Sequence, residues 1–467
     1  MKSKKSSARE YLLANGEMGV ISTALSLTVS FVSAISVLGM PSEIYMHGTM
    51  FLYQIIAWII GLTLSALVFM PKFRELNYTS IFEYLEKRFD RTVRLCVSFL
   101  FTIYMVIYMA IVLYAPALAL SQTTGLNIWL SVISIGVICT FYSSIGGIKA
   151  IIWTDVLQFT FILVGLLPAT IQGLIQLGGL KQTFLIASRD GRIEFDNVNF
   201  DPRTRHTVWT LIIGCSFNIL AEYSFNQALV QRYLCVRSVR AARQVILING
   251  IGIIIFILLL SLTGLVIYAF YANCDPYTAG FVSSSDQLFP YFVMEVLSNT
   301  VGLRGIFLAC IFSASLSTIS SGLNSLAAVF IEDVYQGLMR RRLNDEQLGR
   351  VSKIYSAILG AVVILLSFAV SYLGSVLNAA LSLGGVFAGP IMGVFFLGFF
   401  FPRVQRRSAL VGLLSGLGLQ LWIFLGAQMT KNRGQSGRLP LSVTNCSKFN
   451  TTTLPLASMT TISYANE

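Results

Sequence analysis

The stretch GIFLACIFSASLSTISSGLNSLAAVFIEDVY carries seven hydroxyl side chains and Asn324 between Ser313 and Ser325, inside an otherwise apolar run. In a helix the carbonyl of Ala314 points toward the side chains one turn on, so its oxygen can join Ser317 Oγ and Thr318 Oγ1. Three neutral oxygens converging in this way suit a small, hard cation such as Na+. A second source of oxygens lies in TALSLTVSFVSAISVLGMPSEIY, where Ser30, Ser33, Ala34, Ser36 and Gly39 interrupt an apolar run. An unwound turn there would free two backbone carbonyls and complete a five-oxygen cage. Small and hydroxyl residues also serve close helix packing, and both stretches admit that reading.

A carboxylate, Asp155, sits within GGIKAIIWTDVLQF, about a turn inside the end marked by Lys149. A carboxylate so placed lines an ion path or pairs with a cation in a structural salt bridge. The run LIIGCSFNILAEYSFNQALVQRY holds Asn218, Glu222, Asn226 and Gln227, more polar groups than a lipid-facing helix tolerates. The only two histidines, His47 and His206, fall at the edges of apolar runs and read as solvated interface residues. Seven cysteines without a CxxC pair argue against zinc or redox chemistry.

The elements that must position these groups follow from composition. The chain has 467 residues, 55% hydrophobic and 12% charged, with mean hydropathy +0.73. Soluble domains are about 25% charged, so this is an integral membrane protein, and most enzyme folds are excluded. Eleven apolar stretches lie near 19–44, 50–70, 95–121, 128–145, 151–176, 207–230, 245–271, 302–334, 351–373, 376–401 and 408–428. With a cytoplasmic N-terminus, 23 of the 33 Lys and Arg residues fall inside, which the positive-inside rule favours. The net charge of +12 is thus an orientation signal and calls for no nucleic-acid partner. Lys2, Lys4 and Lys5 are not followed by an apolar run with a cleavage site, so a cleaved signal peptide is not expected.

An odd number of spans puts the C-terminus outside, where sequons begin at Asn445 and Asn450. A third sequon, at Asn77, falls on the cytoplasmic side. The outside cysteines are then Cys274 and Cys446, a candidate disulfide pair. If the first five spans form one unit, the sixth starts from the opposite face, so spans six to ten read as an inverted copy. The expected organisation is a cytoplasmic segment 1–18, a first five-helix repeat 19–176, an extracellular loop 177–206, a second repeat 207–401, an additional span 408–428 and an extracellular glycosylated segment 429–467. Inverted five-plus-five repeats bind substrate and ions near the midplane, where helices break.

The stretches SLTVSFVSAISVLGMPSEIY, VLYAPALALSQTTGLNIW, YSSIGGIKAIIWTDVLQF, DPRTRHTVWT, NQALVQRYL, CDPYTAG, SDQLFPYFV and LSTISSGLNSLAAVFIEDV together resemble the sodium:solute symporter family. More narrowly, they resemble its branch of sodium-coupled monocarboxylate, multivitamin and iodide transporters. The resemblance implies an all-α, LeuT-like fold and no enzymatic activity. It also implies Na+ as coupling ion with no other cofactor, and a small organic anion carried across the plasma membrane. It assigns a sodium site to the carbonyls of Val29, Val32 and Ala314 and the hydroxyls of Ser317 and Thr318. Asp155 and Gln158 match a pair implicated in ion coupling, and substrate is expected near Ser36, Tyr114, Asn226, Leu383 and Gly384. Ser36 stands where iodide transporters have Gln, which favours an organic anion such as lactate, pyruvate, a short-chain fatty acid or nicotinate. Gly384 replaces a Phe and should widen the pocket, leaving biotin or pantothenate as an alternative. Met46 replaces an Arg, and Glu222 replaces an apolar residue and would oppose an anion if ionised. The branch normally has one span before this core and one after it, so a truncated, non-transporting member is a further alternative. A passive channel is the weakest, since paired ion sites argue for coupling.

Overall fold

The computed structural model describes residues 14–76, 78, 80–145, 147–201, 204–298, 300, 302–338, 344–373, 375–430, 438–444 and 446. Among these residues all regular structure is helical, the form in which a lipid-embedded segment satisfies its own backbone groups. We number the principal helices α1 (Val20–Phe31), α2 (Ala34–His47), α3 (Thr49–Leu76), α4 (Arg91–Thr124), α5 (Ile128–Ile145) and α6 (Ile148–Gln176). The second set is α7 (Thr210–Phe225), α8 (Gln227–Leu234), α9 (Val239–Phe270), α10 (Leu303–Tyr335), α11 (Gln347–Val370), α12 (Val376–Phe400) and α13 (Arg406–Thr430).

Eight of these helices are long and apolar enough to cross a bilayer, and α1 with α2, bent by 57° at their junction, makes a ninth candidate. Helices α5 and α7 are apolar but shorter. The expected first stretch, 19–44, is therefore two helices. The sixth, 207–230, is likewise interrupted at Asn226, whose extended backbone (φ −94°, ψ 115°) separates α7 from α8. Each of these two apolar stretches is thus a pair of helices with an interruption between them.

Burial ranks the helices. In α10, 72% of the most apolar window is enclosed by protein; in α13 it is 11%. Trp422 and Leu414 of α13 are exposed, as side chains solvated by lipid tails would be. Helix α10 packs on α6, α4, α5 and α1. At the α6 contact a Cβ on Gly165 would fall 2.3 Å from the Cys310 Cβ, so only glycine permits this approach. The chain is a multi-pass membrane protein with α10 at its centre and α13 at its rim.

Residues 438–444 cross the far end of α2. Leu439 N–H donates to Met46 O (3.0 Å), and Asp275 N–H donates to Ser442 O (2.8 Å). Arg192, fully buried, donates from Nη1 to Met46 O (3.2 Å) and from Nη2 to Pro440 O (2.6 Å). Cys274 and Cys446 are disulfide-bonded. Asn445 and Asn450 lie outside the described residues.

His206 departs from the solvated reading. Its Nε2 lies 3.0 Å from Glu43 Oε1, and its ring packs on His47 and Phe51. Glu43 is buried and also accepts two bonds from Arg205, at 2.6 and 2.8 Å; Arg205 donates further to Asn378 of α12. A buried carboxylate collects partners from wherever the fold supplies them, and these are some 160 residues away in sequence. Nearby, Asp286 accepts from Val376 N–H (2.9 Å) at the start of α12. Burial pushes its carboxyl up to about 6.

Candidate functional site

The break between α1 and α2 has a specific hydrogen-bond pattern. Val32 N–H still donates to Thr28 O (2.9 Å), but Ser33 N–H turns to Phe31 O (2.8 Å). The Val29 carbonyl thereby loses the donor four residues on that a continuous helix would give it. Helix α2 restarts with Val37 N–H on Ser33 O (3.0 Å), which leaves the Val32 carbonyl outside the ladder as well. The carbonyls that the resemblance assigned, those of Val29 and Val32, are among the four that the break takes out of the ladder; of the other two, Phe31 O accepts from Ser33 N–H and Ser30 O from Thr318 Oγ1.

Helix α10 supplies the facing groups. Thr318 Oγ1 lies 3.1 Å from Ala314 O and 3.2 Å from Ser30 O, and Ser317 Oγ lies 3.4 Å from Ser30 Oγ. A hydroxyl that gives its proton to a carbonyl keeps its lone pairs for a cation. Val29, Val32, Ala314, Ser317 and Thr318 are all buried. The structure brings the two serine-rich stretches against each other, and what they present is neutral oxygen, the donor set of a hard monovalent cation. Among the described residues no cluster of His, Cys, Asp and Glu has transition-metal spacing.

Asp155 is fully buried beside this region and paired. Ser26 Oγ donates to its Oδ2 at 2.6 Å, and Arg232 Nη2 reaches the same oxygen at 3.0 Å. Arg232, itself fully buried, donates also from Nε to Ser26 Oγ (2.9 Å), from Nη1 to Ala228 O (3.1 Å) and from Nη2 to Ser321 Oγ. Arg232 lies just past the apolar stretch 207–230 and is one of the 23 basic residues that the charge count puts inside; it is instead a helix residue of α8 locked into the protein interior. Gln158, one turn beyond Asp155, is buried with no hydrogen-bond partner for its Oε1 among the described residues.

Between α1–α2, α4, α7, α10 and α12 lies a cavity of about 120 Å³, lined among others by Ser36, Tyr104, Glu222, Asn226, Thr318 and Gly384. Glu222 Oε1 is 2.6 Å from Tyr104 OH, and its Oε2 accepts from Asn226 Nδ2 at 2.6 Å. Asn226 Oδ1 caps α8 by accepting from Ala228 N–H at 2.9 Å, so the break that ends α7 also aims this amide. A Cβ on Gly384 would lie 3.6 Å from Asn218 Oδ1 and 3.8 Å from Tyr104 OH, so any side chain there would project into the cavity.

Two expected substrate residues lie elsewhere. Leu383 is buried in the apolar core, about 100° around the helix from Gly384. Tyr114 does not line the cavity; ten residues beyond Tyr104 it is displaced by about 15 Å along α4 and by about 80° around it. The tyrosines that do face the cavity are Tyr104 and Tyr108, and their spacing of four in an apolar helix was the available signal.

The sodium:solute symporter family profile matches residues 11–416. Sodium-coupled monocarboxylate transporter 1 of Homo sapiens is 42% identical over 422 residues, covering 90% of this chain and 69% of the relative. The sodium/iodide cotransporter of Homo sapiens is 40% identical over 442 residues, covering 94% and 69%. Among solved structures, the substrate-bound outward-open state of a Na+-coupled sialic acid symporter superposes with a TM-score of 0.79 at 25% identity, covering 94% of each chain.

Proposed function

The chain belongs to the sodium:solute symporter family, and from that premise we propose that it imports small organic monocarboxylates with Na+ across the plasma membrane by alternating access. The observation that carries this reading is the meeting of the α1–α2 break with Ser317 and Thr318 of α10. Na+ would be held by the carbonyl oxygens of Val29, Val32 and Ala314 and the hydroxyls of Ser317 and Thr318. Such a cation lowers the cost of bringing a carboxylate into a low-dielectric cavity. Its departure on the other side then releases both.

Ser36, Asn226 and Gly384 would contact the substrate, the hydroxyl and amide by hydrogen bonds and the glycine by leaving room. Asp155, with Gln158 a turn away, would couple the ion to the helix arrangement, since Asp155 ties α6 to α1 and α8. The N-terminus would be cytoplasmic and the C-terminus extracellular. The space at Gly384 favours a second reading with a larger carboxylate, of biotin or pantothenate type.

Uptake of labelled lactate in cells, with Na+ exchanged for choline, tests the proposal: equal uptake in both media sinks it. Ser317→Ala with Thr318→Ala should raise the Na+ concentration needed for half-maximal uptake at least tenfold. An unchanged Na+ dependence refutes the site. Competition by biotin at low concentration separates the two substrate readings.

A further inference from the structure

We propose that Glu222 is a specificity-determining residue that carries a proton whenever the cavity holds a carboxylate substrate. The chain would thus take up its anion together with a proton on Glu222 Oε1. This inference rests on the reading above that the cavity accepts a monocarboxylate.

Three observations carry it. First, Glu222 faces the same cavity as Ser36, Asn226 and Gly384, so an anion bound there lies beside a second carboxylate. Two carboxylates sharing one site cannot both stay ionised, and one takes a proton. Second, among the described residues no side-chain cation lining the cavity is free to neutralise Glu222. The one basic side chain among the described residues that line the cavity, Arg232, is held by Asp155, Ser26, Ser321 and the Ala228 carbonyl. The other ionisable groups that face Glu222 are Tyr104 and Tyr108 from α4, with Tyr223 on its own helix. Helix α12 has no ionisable side chain, and α3 has them only near its ends.

Third, the surroundings accept both protonation states without moving a heavy atom. Asn226 must present Nδ2 to Oε2, because its Oδ1 is committed to Ala228 N–H. Tyr104 OH can donate to Oε1 when Glu222 is ionised, or rotate and accept from Oε1–H when it is not. One O–H bond forms on Oε1, with a proton from the aqueous side as the anion enters, and breaks on the other side as the anion leaves. With one Na+, one anion and the paired Asp155 and Arg232, the cavity contents are then neutral.

The test measures Na+-dependent uptake of labelled lactate by the full chain between about pH 6 and about pH 8, at fixed Na+. Lactate stays an anion throughout, its carboxyl titrating in the ordinary range near 4. The wild-type KM should rise about tenfold or more across this range with little change in kcat, the slope that obligatory protonation of one group imposes. Glu222→Gln should show the low KM at every pH, and Glu222→Asp should keep the slope. A flat wild-type KM overturns the proposal, whatever the variants do. So does a Glu222→Gln slope equal to wild type, or a flat profile with steeper Na+ dependence in wild type than in Glu222→Gln, which would give the carboxylate a second cation. Absence of Na+-dependent lactate uptake at every pH removes the functional reading itself; Na+-dependent but pH-independent uptake removes only the role of Glu222.

Discussion

Replacing Arg232 by Met would strand Asp155 in the protein interior, and the cost can be worked out from their geometry. Both side chains are fully buried, with the nearest nitrogen and oxygen 3.0 Å apart. At an effective dielectric of about 20 their attraction is about 5 kcal/mol. Desolvation offsets much of that in the intact pair, but removal of one partner exposes the whole penalty on the other. Breaking such a pair costs about 3–5 kcal/mol, whereas replacing both charges by apolar groups of similar volume is about neutral. Arg232→Met and Asp155→Leu should therefore each destabilise by about 3 kcal/mol or more. The double variant should lie within about 2 kcal/mol of wild type, because Ser321 already donates to the Ser317 carbonyl of its own helix and Ser26 can turn to a carbonyl of its own. Unfolding of the purified protein in mild detergent, run as a double-mutant cycle, measures the coupling. Additive losses, or single losses below about 1 kcal/mol, would refute the reasoning. Uptake then decides between a structural bridge and an ion path: a stable double variant that retains Na+-dependent transport would make the pair purely structural.

Other perturbations test neighbouring parts of the fold. Gly384→Phe should fill the space before Asn218 and Tyr104 and cut uptake of larger carboxylates at least tenfold, with less effect on the smallest; an equal effect on lactate and biotin would contradict the cavity assignment. Asp286, with its carboxyl raised to about 6 by burial, binds its proton more tightly folded than unfolded. Its contribution to stability is complete below about pH 4 and is lost as pH rises through about 6, a change of at most about 3 kcal/mol. Asp286→Asn keeps an acceptor for Val376 N–H and should gain on wild type as pH is raised from about 5 to about 7.5 in thermal unfolding; a constant difference between the two proteins would count against it.

Much of the site was legible because its signals are local. Hydroxyls at Ser317 and Thr318 in an apolar run, and small residues between Ser30 and Gly39, each mark a helix that does more than face lipid. The break then falls at Val32–Ser33, within the stretch those residues marked. What stayed hidden depends on pairing across the chain. Arg232 reads as an interfacial charge because its hydropathy neighbourhood is polar, and its partner is 77 residues away. His206 reads as solvated for the same reason, since Glu43 is brought to it only by the docking of a loop on α2. The choice of Tyr104 over Tyr114 is a matter of helix rotation, set by which face of α4 meets α7 and α12.

Segment 438–444 gives α2 the mechanics of a lever with both ends committed. Its pivot is the unwound turn at Val32–Ser33, and its tip, about 21 Å away for 14 residues, is moored through Met46 O to Leu439 and Arg192. A swing of about 10° at the pivot would carry the tip about 4 Å, further than a hydrogen bond stretches. Any rocking of α2 must therefore haul this segment with it or cast it off. The disulfide decides which part of the protein bears the load, because it anchors the line to the loop after α9.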